Sequence, residues 1–259
     1  MTRYFRFPRD FDHMVFLSQI QQGLAIKTAI EYWRSTKPRC MGTLYWQIND
    51  FYPVASWSSL DYGGQWKLLQ YMAKRFFLPV NVVAYPDGDT ILLKAINDTA
   101  AKTEISLEVR AVDVGGADRV VHSGKTSVSP DAATLAFKLP AKKLGTGEFL
   151  FFSWRDAEGR LLGENDFFPK AYKAYDPAEA RITATWTGDD KAPALTLRTD
   201  KPAFFVTATV DVPGYFSDNA ITLLPGRETT LTFTARLGAK ATQKALAKGL
   251  KIRHLRETY

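Results

Sequence analysis

The chain has 259 residues, long enough for one large domain or for two smaller ones with a remnant. With 46% hydrophobic and 24% charged residues it reads as a folded globular chain, not a disordered one. The 34 Lys and Arg against 27 Asp and Glu leave a net charge of +7, scattered except for a basic stretch from Lys240 to Arg256, and no dense basic stripe interleaved with aromatics points to nucleic acid.

Three regions follow one another. From Phe11 to Trp33 apolar residues recur at helical spacing (Phe11, Met14, Val15, Leu17, Ile20, Leu24), with Asp10 as a candidate cap and Pro38 as a stop. Glu31 is expected on the solvent side of that helix or against a neighbouring helix. A buried strand is predicted over Met41–Gln47, then a loop rich in Ser, Asp and Gly. A second helix is predicted over Gly64–Phe77, with Trp66, Leu69, Met72 and Phe76 on one face and Lys67, Gln70 and Lys74 on the other. Helix, strand, loop and helix make one unit of an α/β fold. A lone strand has no sheet, so residues 1–79 are expected to be the end of a larger domain.

From Val80 the texture turns to short strands: Val80–Tyr85, Thr90–Ile96, Glu104–Asp113, Arg119–Gly124, Thr134–Leu139, Glu148–Arg155 and Leu161–Pro169. Turn signals such as Pro86-Asp87-Gly88 and Glu158-Gly159 separate them, and Ile105, Leu107, Val109 and Ala111 alternate onto one face. About seven strands in about ninety residues predict an immunoglobulin-like sandwich over 80–175. A second, smaller sandwich is predicted over 176–259 from RITATWT, ALTLRTD, AFFVTATVD, AITLLP and ETTLTFTARL, with a helical section over Ala241–Lys248 and a closing strand near the end. The fold class is thus mainly β with an N-terminal α/β remnant.

Candidate chemistry is sparse. Cys40 is the single cysteine, which excludes an internal disulfide and a Cys-based zinc site. His13, His122 and His254 lack metal-ligand spacing and read as surface or packing residues, and no cofactor or metal is expected. Ser56, Ser58 and Ser59 lie in no G-x-S-x-G elbow, and Gly63-Gly64 reads as a helix entry ahead of an anion cradle. No apolar run is long enough to span a bilayer, and MTRYFRFPRDFD does not read as a signal peptide. The compartment stays open, cytoplasmic or periplasmic for a bacterial protein. The sharpest stretch is CMGTLYWQINDFYPVASW. Trp46 there has two readings: a platform for the C–H face of a sugar flanked by Gln47, Asn49 and Asp50, or a ring buried between helix and strand. Trp57 and Trp66 read as core residues.

MGTLYWQINDFYPVASWSSLDYGGQWKLLQYMAKRFFLPV resembles the end of the catalytic (β/α)8 barrel in β-mannosidases of glycoside hydrolase family 2. FSDNAITLLPGRETTLTF is similar to the C-terminal immunoglobulin-like domain of that family, and LKIRHLRETY to its last residues. The resemblance spans essentially the whole chain. It implies a last helix-strand-helix of the barrel followed by two immunoglobulin-like sandwiches, and a retaining exo-acting hydrolase of terminal β-D-mannose in β-mannosides or manno-oligosaccharides.

Residue by residue the resemblance places Trp46 at the sugar platform, with Asn49 and Asp50 lining or bracing that subsite. Neither catalytic glutamate of the family maps onto this sequence, so the chain is expected to be inactive alone and to need an N-terminal β-mannosidase segment to complete the barrel. Phe51-Tyr52 and Gly63-Gly64 depart from the family pattern at the rim. The competing reading is a non-enzymatic carbohydrate-binding or structural β-sandwich module, with Trp154 and Trp186 as possible glycan contacts.

Overall fold

The computed structural model describes residues 1–259. They form two compact units: Leu24–Tyr45 with Ala73–Asp176, and Met1–Gly23 with Trp46–Met72 and Pro177–Tyr259.

Two helices open the chain, α1 (Phe11–Ser35) and α2 (Leu68–Phe76). Asp10 caps α1: its Oδ1 accepts the His13 backbone N–H at 2.9 Å and also meets His13 Nδ1 at 2.6 Å. The His13 hydrogen bonds, backbone first, hold the Asp10 carboxyl below its ordinary range. The buried face of α1 differs in part from the predicted one, with Leu17 and Ile20 buried as expected. Phe16, Leu17, Ile20, Ile30, Glu31 and Arg34 are buried, whereas Phe11, Met14 and Val15 are exposed.

Glu31 is therefore inside, against expectation. Its carboxylate accepts the Asn165 amide at 3.0 Å and pairs with Lys27 at 3.2 Å, which compensates the lost hydration in part. Burial pushes this carboxyl up, with Lys27 and Asn165 pulling the other way.

The strand predicted over Met41–Gln47 is not formed. These residues have no ladder partner, and Met41, Leu44 and Trp46 are exposed. A strand is stabilised by its neighbours, and nothing in the chain supplies them here. What remains of sheet geometry is a parallel bridge from Asn49 to Leu60 and an antiparallel one from Leu60 to Trp66.

The first sandwich has the seven expected strands: β1 (Val80–Asp87), β2 (Thr90–Asn97), β3 (Thr103–Asp113), β4 (Asp118–Val128), β5 (Ala132–Pro140), β6 (Glu148–Arg155) and β7 (Leu161–Phe167). Sheets ordered β1-β2-β5 and β4-β3-β6-β7 enclose a core with Val82, Leu93, Ile105, Leu107, Val109 and Trp154. Trp154 is fully buried and donates its indole N–H to the Val80 carbonyl at 3.1 Å. Its cross-strand partner is Gly163, where a Cβ would stand 2.3 Å from the ring. The ring occupies the space a side chain would need.

The second sandwich comprises β8 (Ile182–Thr187), β9 (Ala194–Thr199), β10 (Ala203–Thr209), β11 (Gly214–Phe216), β12 (Ile221–Leu223), β13 (Thr229–Ala235) and β14 (Lys251–Arg253), with α3 (Gln243–Gly249) before the last strand. Its sheets run β12-β10-β14 and β11-β13-β9-β8 around Leu195, Leu197, Val206, Phe216, Leu231 and Leu246. The short strand β11 was not anticipated. Thr242 caps α3 by accepting from Ala245, and β14 pairs with β10 as the predicted closing strand. A final helical turn, Leu255–Thr258, ends with the Thr258 carbonyl accepting the Arg9 amide at 2.9 Å.

Candidate functional site

The segment from Trp46 to Lys67 is held by a few specific hydrogen bonds in place of a sheet. Leu60 donates its backbone N–H to Ile48 at 2.7 Å, Asp50 donates to Leu60 at 3.1 Å, and Lys67 donates to Ser59 at 2.9 Å. Ser59 Oγ lies 3.0 Å from the Ile48 carbonyl and 2.7 Å from Gln70 Oε1. The Gln22 side chain of α1 donates to the Trp57 carbonyl at 2.7 Å, and Gln19 Oε1 accepts the first amide of α2 at 3.2 Å.

Of the three predicted sugar contacts, two face solvent and one does not. Trp46 is 70% exposed, which removes the reading of a ring buried between helix and strand; its peptide bond to Gln47 is cis. Asn49 is exposed and donates its amide to the Asp50 carbonyl at 3.2 Å. Asp50 is buried: Oδ1 accepts the Ser56 hydroxyl and Oδ2 the Lys67 ammonium at 3.0 Å. Lys67 also reaches Ser58 Oγ at 2.8 Å, and Ser58 donates to the Leu60 carbonyl at 2.7 Å. The Ser56 hydrogen bond, then those from Lys67 and Ser58, outweigh burial and keep the Asp50 carboxyl below its ordinary range. Asp50 thus stands as an ionised carboxylate committed within the loop.

The remaining aromatics divide. Phe51, Tyr52 and Trp57 are exposed, so Trp57 is not the core residue its sequence context predicted. Trp66 does pack, flat against Tyr215 with ring centroids 4.4 Å apart. Gly64 adopts a positive φ of 76° in the turn between Asp61 and Gln65, four residues ahead of α2. Gly63-Gly64 accordingly closes a turn and does not open the helix. The serines act as loop ties. Lys67 was missed because its place between Trp66 and Leu68 reads as a solvent-facing helix position, and only the fold turns it to Asp50.

Elsewhere, Trp154 is sealed inside the first sandwich and presents no face for a glycan, while Trp186 is half-buried against the core of the second. His122 stacks on Phe137, and His254 is buried beside Glu257. No group of three or more His, Cys, Asp or Glu side chains is gathered to hold a metal ion. No helix is long and apolar enough to cross a membrane.

Residues 177–258 match the family model of the Ig-fold domain of mannosidases. β-Mannosidase of Capra hircus is 28% identical over 271 residues, covering 97% of this chain and 30% of the relative. β-Mannosidase A of Aspergillus oryzae is 27% identical over 274 residues, covering 91% and 29%. Among solved structures, the β-D-mannosidase of Dictyoglomus thermophilum superposes with a TM-score of 0.86 at 25% identity, over 98% of this chain and 31% of that one. An exo-chitosanase of Amycolatopsis orientalis shares the fold, with a TM-score of 0.67 at 20% identity over 92% and 33%. The chain spans about 30% of the length of the curated relatives it matches. In sequence and fold, the chain is similar to the C-terminal portion of these β-mannosidases, and its residues 177–258 match the Ig-fold domain of the mannosidase family model.

Proposed function

We propose that this chain contributes one wall of the sugar subsite of a retaining exo-β-mannosidase, with Trp46 as the platform for the terminal mannose and Asn49 as a polar contact at its edge. The observation that supports this is the exposed Trp46 ring at the head of a loop whose one buried carboxylate is already neutralised by Lys67. Hydrolysis with retention needs two carboxylates facing the scissile bond. Asp50 is spent on Lys67 and Ser56, and Glu31 on Lys27 and Asn165, so neither is free for such a pair. The acid/base and nucleophile are supplied by barrel residues outside this sequence, in a segment that also covers the exposed apolar residues Leu44 and Ile48 and leaves the Trp46 ring open to the sugar.

The test is hydrolysis of a chromogenic β-mannoside by the purified chain, alone and together with the barrel-bearing N-terminal segment of a β-mannosidase. Turnover is expected only in the mixture. Trp46→Ala should then lower kcat/KM on the order of tenfold, the scale of one lost aromatic contact, while leaving the fold intact because the ring is exposed. Turnover by the chain alone, or an unchanged rate with Trp46→Ala, would refute the assignment.

A further inference from the structure

The loop that carries Trp46 and Asn49 lacks strand neighbours, yet its far end is gripped by the second sandwich. Trp66 stacks on Tyr215 of β11 with the ring planes 2° from parallel, and Tyr71 of α2 packs on the same indole at 5.0 Å. Tyr71 is 4% exposed and shares hydrogen bonds with the Asn219 side chain and the Phe216 backbone. Asn219 is buried and anchored by its amide to both the N–H and the C=O of Ala208 in β10, at 2.7 and 2.9 Å. Arg236, just beyond β13, donates to the Gly63 carbonyl at the turn. The residue after Trp66 is Lys67, whose ammonium holds Asp50, the neighbour of Asn49. Each link is a short, directional contact, and together they run from the core of the sandwich to the exposed arm.

We infer that the second sandwich is a positioning device for the sugar-facing arm: Tyr215 and Arg236 set the place of Trp66 and Gly63, and through Lys67 and Asp50 the place of Trp46 and Asn49. Tyr215 and Arg236 are positioning residues, since neither reaches the arm itself. The functional half of this inference rests on the reading of Trp46 and Asn49 as sugar contacts. The mechanical half does not. A loop without a ladder opens locally at low cost, so its order depends on a few anchors.

The experiment is hydrogen exchange on the full chain, read at the loop amides of Asp50, Leu60 and Lys67 and, as a control, at the β8–β9 ladder. Tyr215→Leu removes the stack and should speed the loop amides by about tenfold or more with the β8–β9 amides unchanged. Tyr215→Phe keeps the ring and should match the parent chain. Arg236→Ala, at an exposed position, should shift the loop in the same direction by a smaller factor and serves if Tyr215→Leu does not fold. Unchanged loop exchange in both variants would overturn the inference. Equal acceleration of loop and ladder would overturn it too, since that is general destabilisation. Mannoside hydrolysis by the parent chain with its barrel segment is a separate readout: its absence beside a positive exchange result would remove the sugar and keep the mechanical coupling.

Discussion

Replacing Arg34 by Met should cost about 3 kcal/mol of stability in the unit that contains it. Arg34 is 4% exposed and its guanidinium donates to the Phe76 carbonyl, to the Leu78 carbonyl at 2.7 Å and to Asp98 Oδ2 at 2.8 Å. Both carbonyls stand at the C-terminal end of α2, where the last peptide oxygens have no helical partner and a cation is favoured. Breaking a buried ion pair from one side costs about 3–5 kcal/mol, and three features place this case at the lower end. The Asp98 side chain is 34% exposed, it keeps Lys37, and the Phe76 carbonyl keeps the Asn81 amide at 3.3 Å.

Methionine retains the apolar stem, so the loss isolates the polar head. Arg34→Lys cannot reach three acceptors at once and should cost about half as much. Urea unfolding, read through exchange of the Leu107 and Phe152 amides in the core of the first sandwich, measures both. Burial pushes the Asp98 carboxyl up, but the Lys37 hydrogen bond and the Arg34 charge outweigh it and leave it below its ordinary value. A lowered carboxyl stabilises above its unfolded pKa, and that contribution is lost as pH falls through the folded one. The gap between parent and Arg34→Met should therefore narrow in acid. A loss below about 1 kcal/mol at neutral pH, the scale of an exposed ion pair, would refute the reasoning.

Burial raises the Glu31 carboxyl, so its contribution to stability is complete below the ordinary glutamate range and shrinks as pH rises through the raised value. Glu31→Gln removes that slope; urea midpoints of the variant relative to the parent should move in the variant's favour from acid to neutral pH, and parallel profiles would show that Glu31 does not titrate in this way. Gly163→Ala forces a methyl to within 2.3 Å of the immobile Trp154 ring and should cost about 1–3 kcal/mol in thermal or urea unfolding. A neutral result there would mean that β7 shifts away from β6 without penalty.

Much of this architecture is legible in local pattern. The alternation in TEISLEVRAV, the turn residues between strands and the Asp10 cap are short-range signals, and the seven strands of the first sandwich follow from them. The missed strand β11 is three residues long and offers no such pattern. Glu31 escaped for another reason: its partner Asn165 is 134 positions away, and local pattern offered only solvent or a neighbouring helix for the carboxylate.

The candidate site shows the same division. Which residues gather between Cys40 and Trp57, and that aromatics alternate there with amides and a carboxylate, is set by the sequence. Whether those residues form a strand is not, because a strand is completed by hydrogen bonds from chains beside it. Exposure of Trp46, commitment of Asp50 to Lys67, and the stacking of Trp66 on Tyr215 were decided by the tertiary structure alone. Contacts between distant positions leave no mark in local periodicity, and the charge of Asp50 reads alike in a sugar site and in a buried ion pair until its partner is in place.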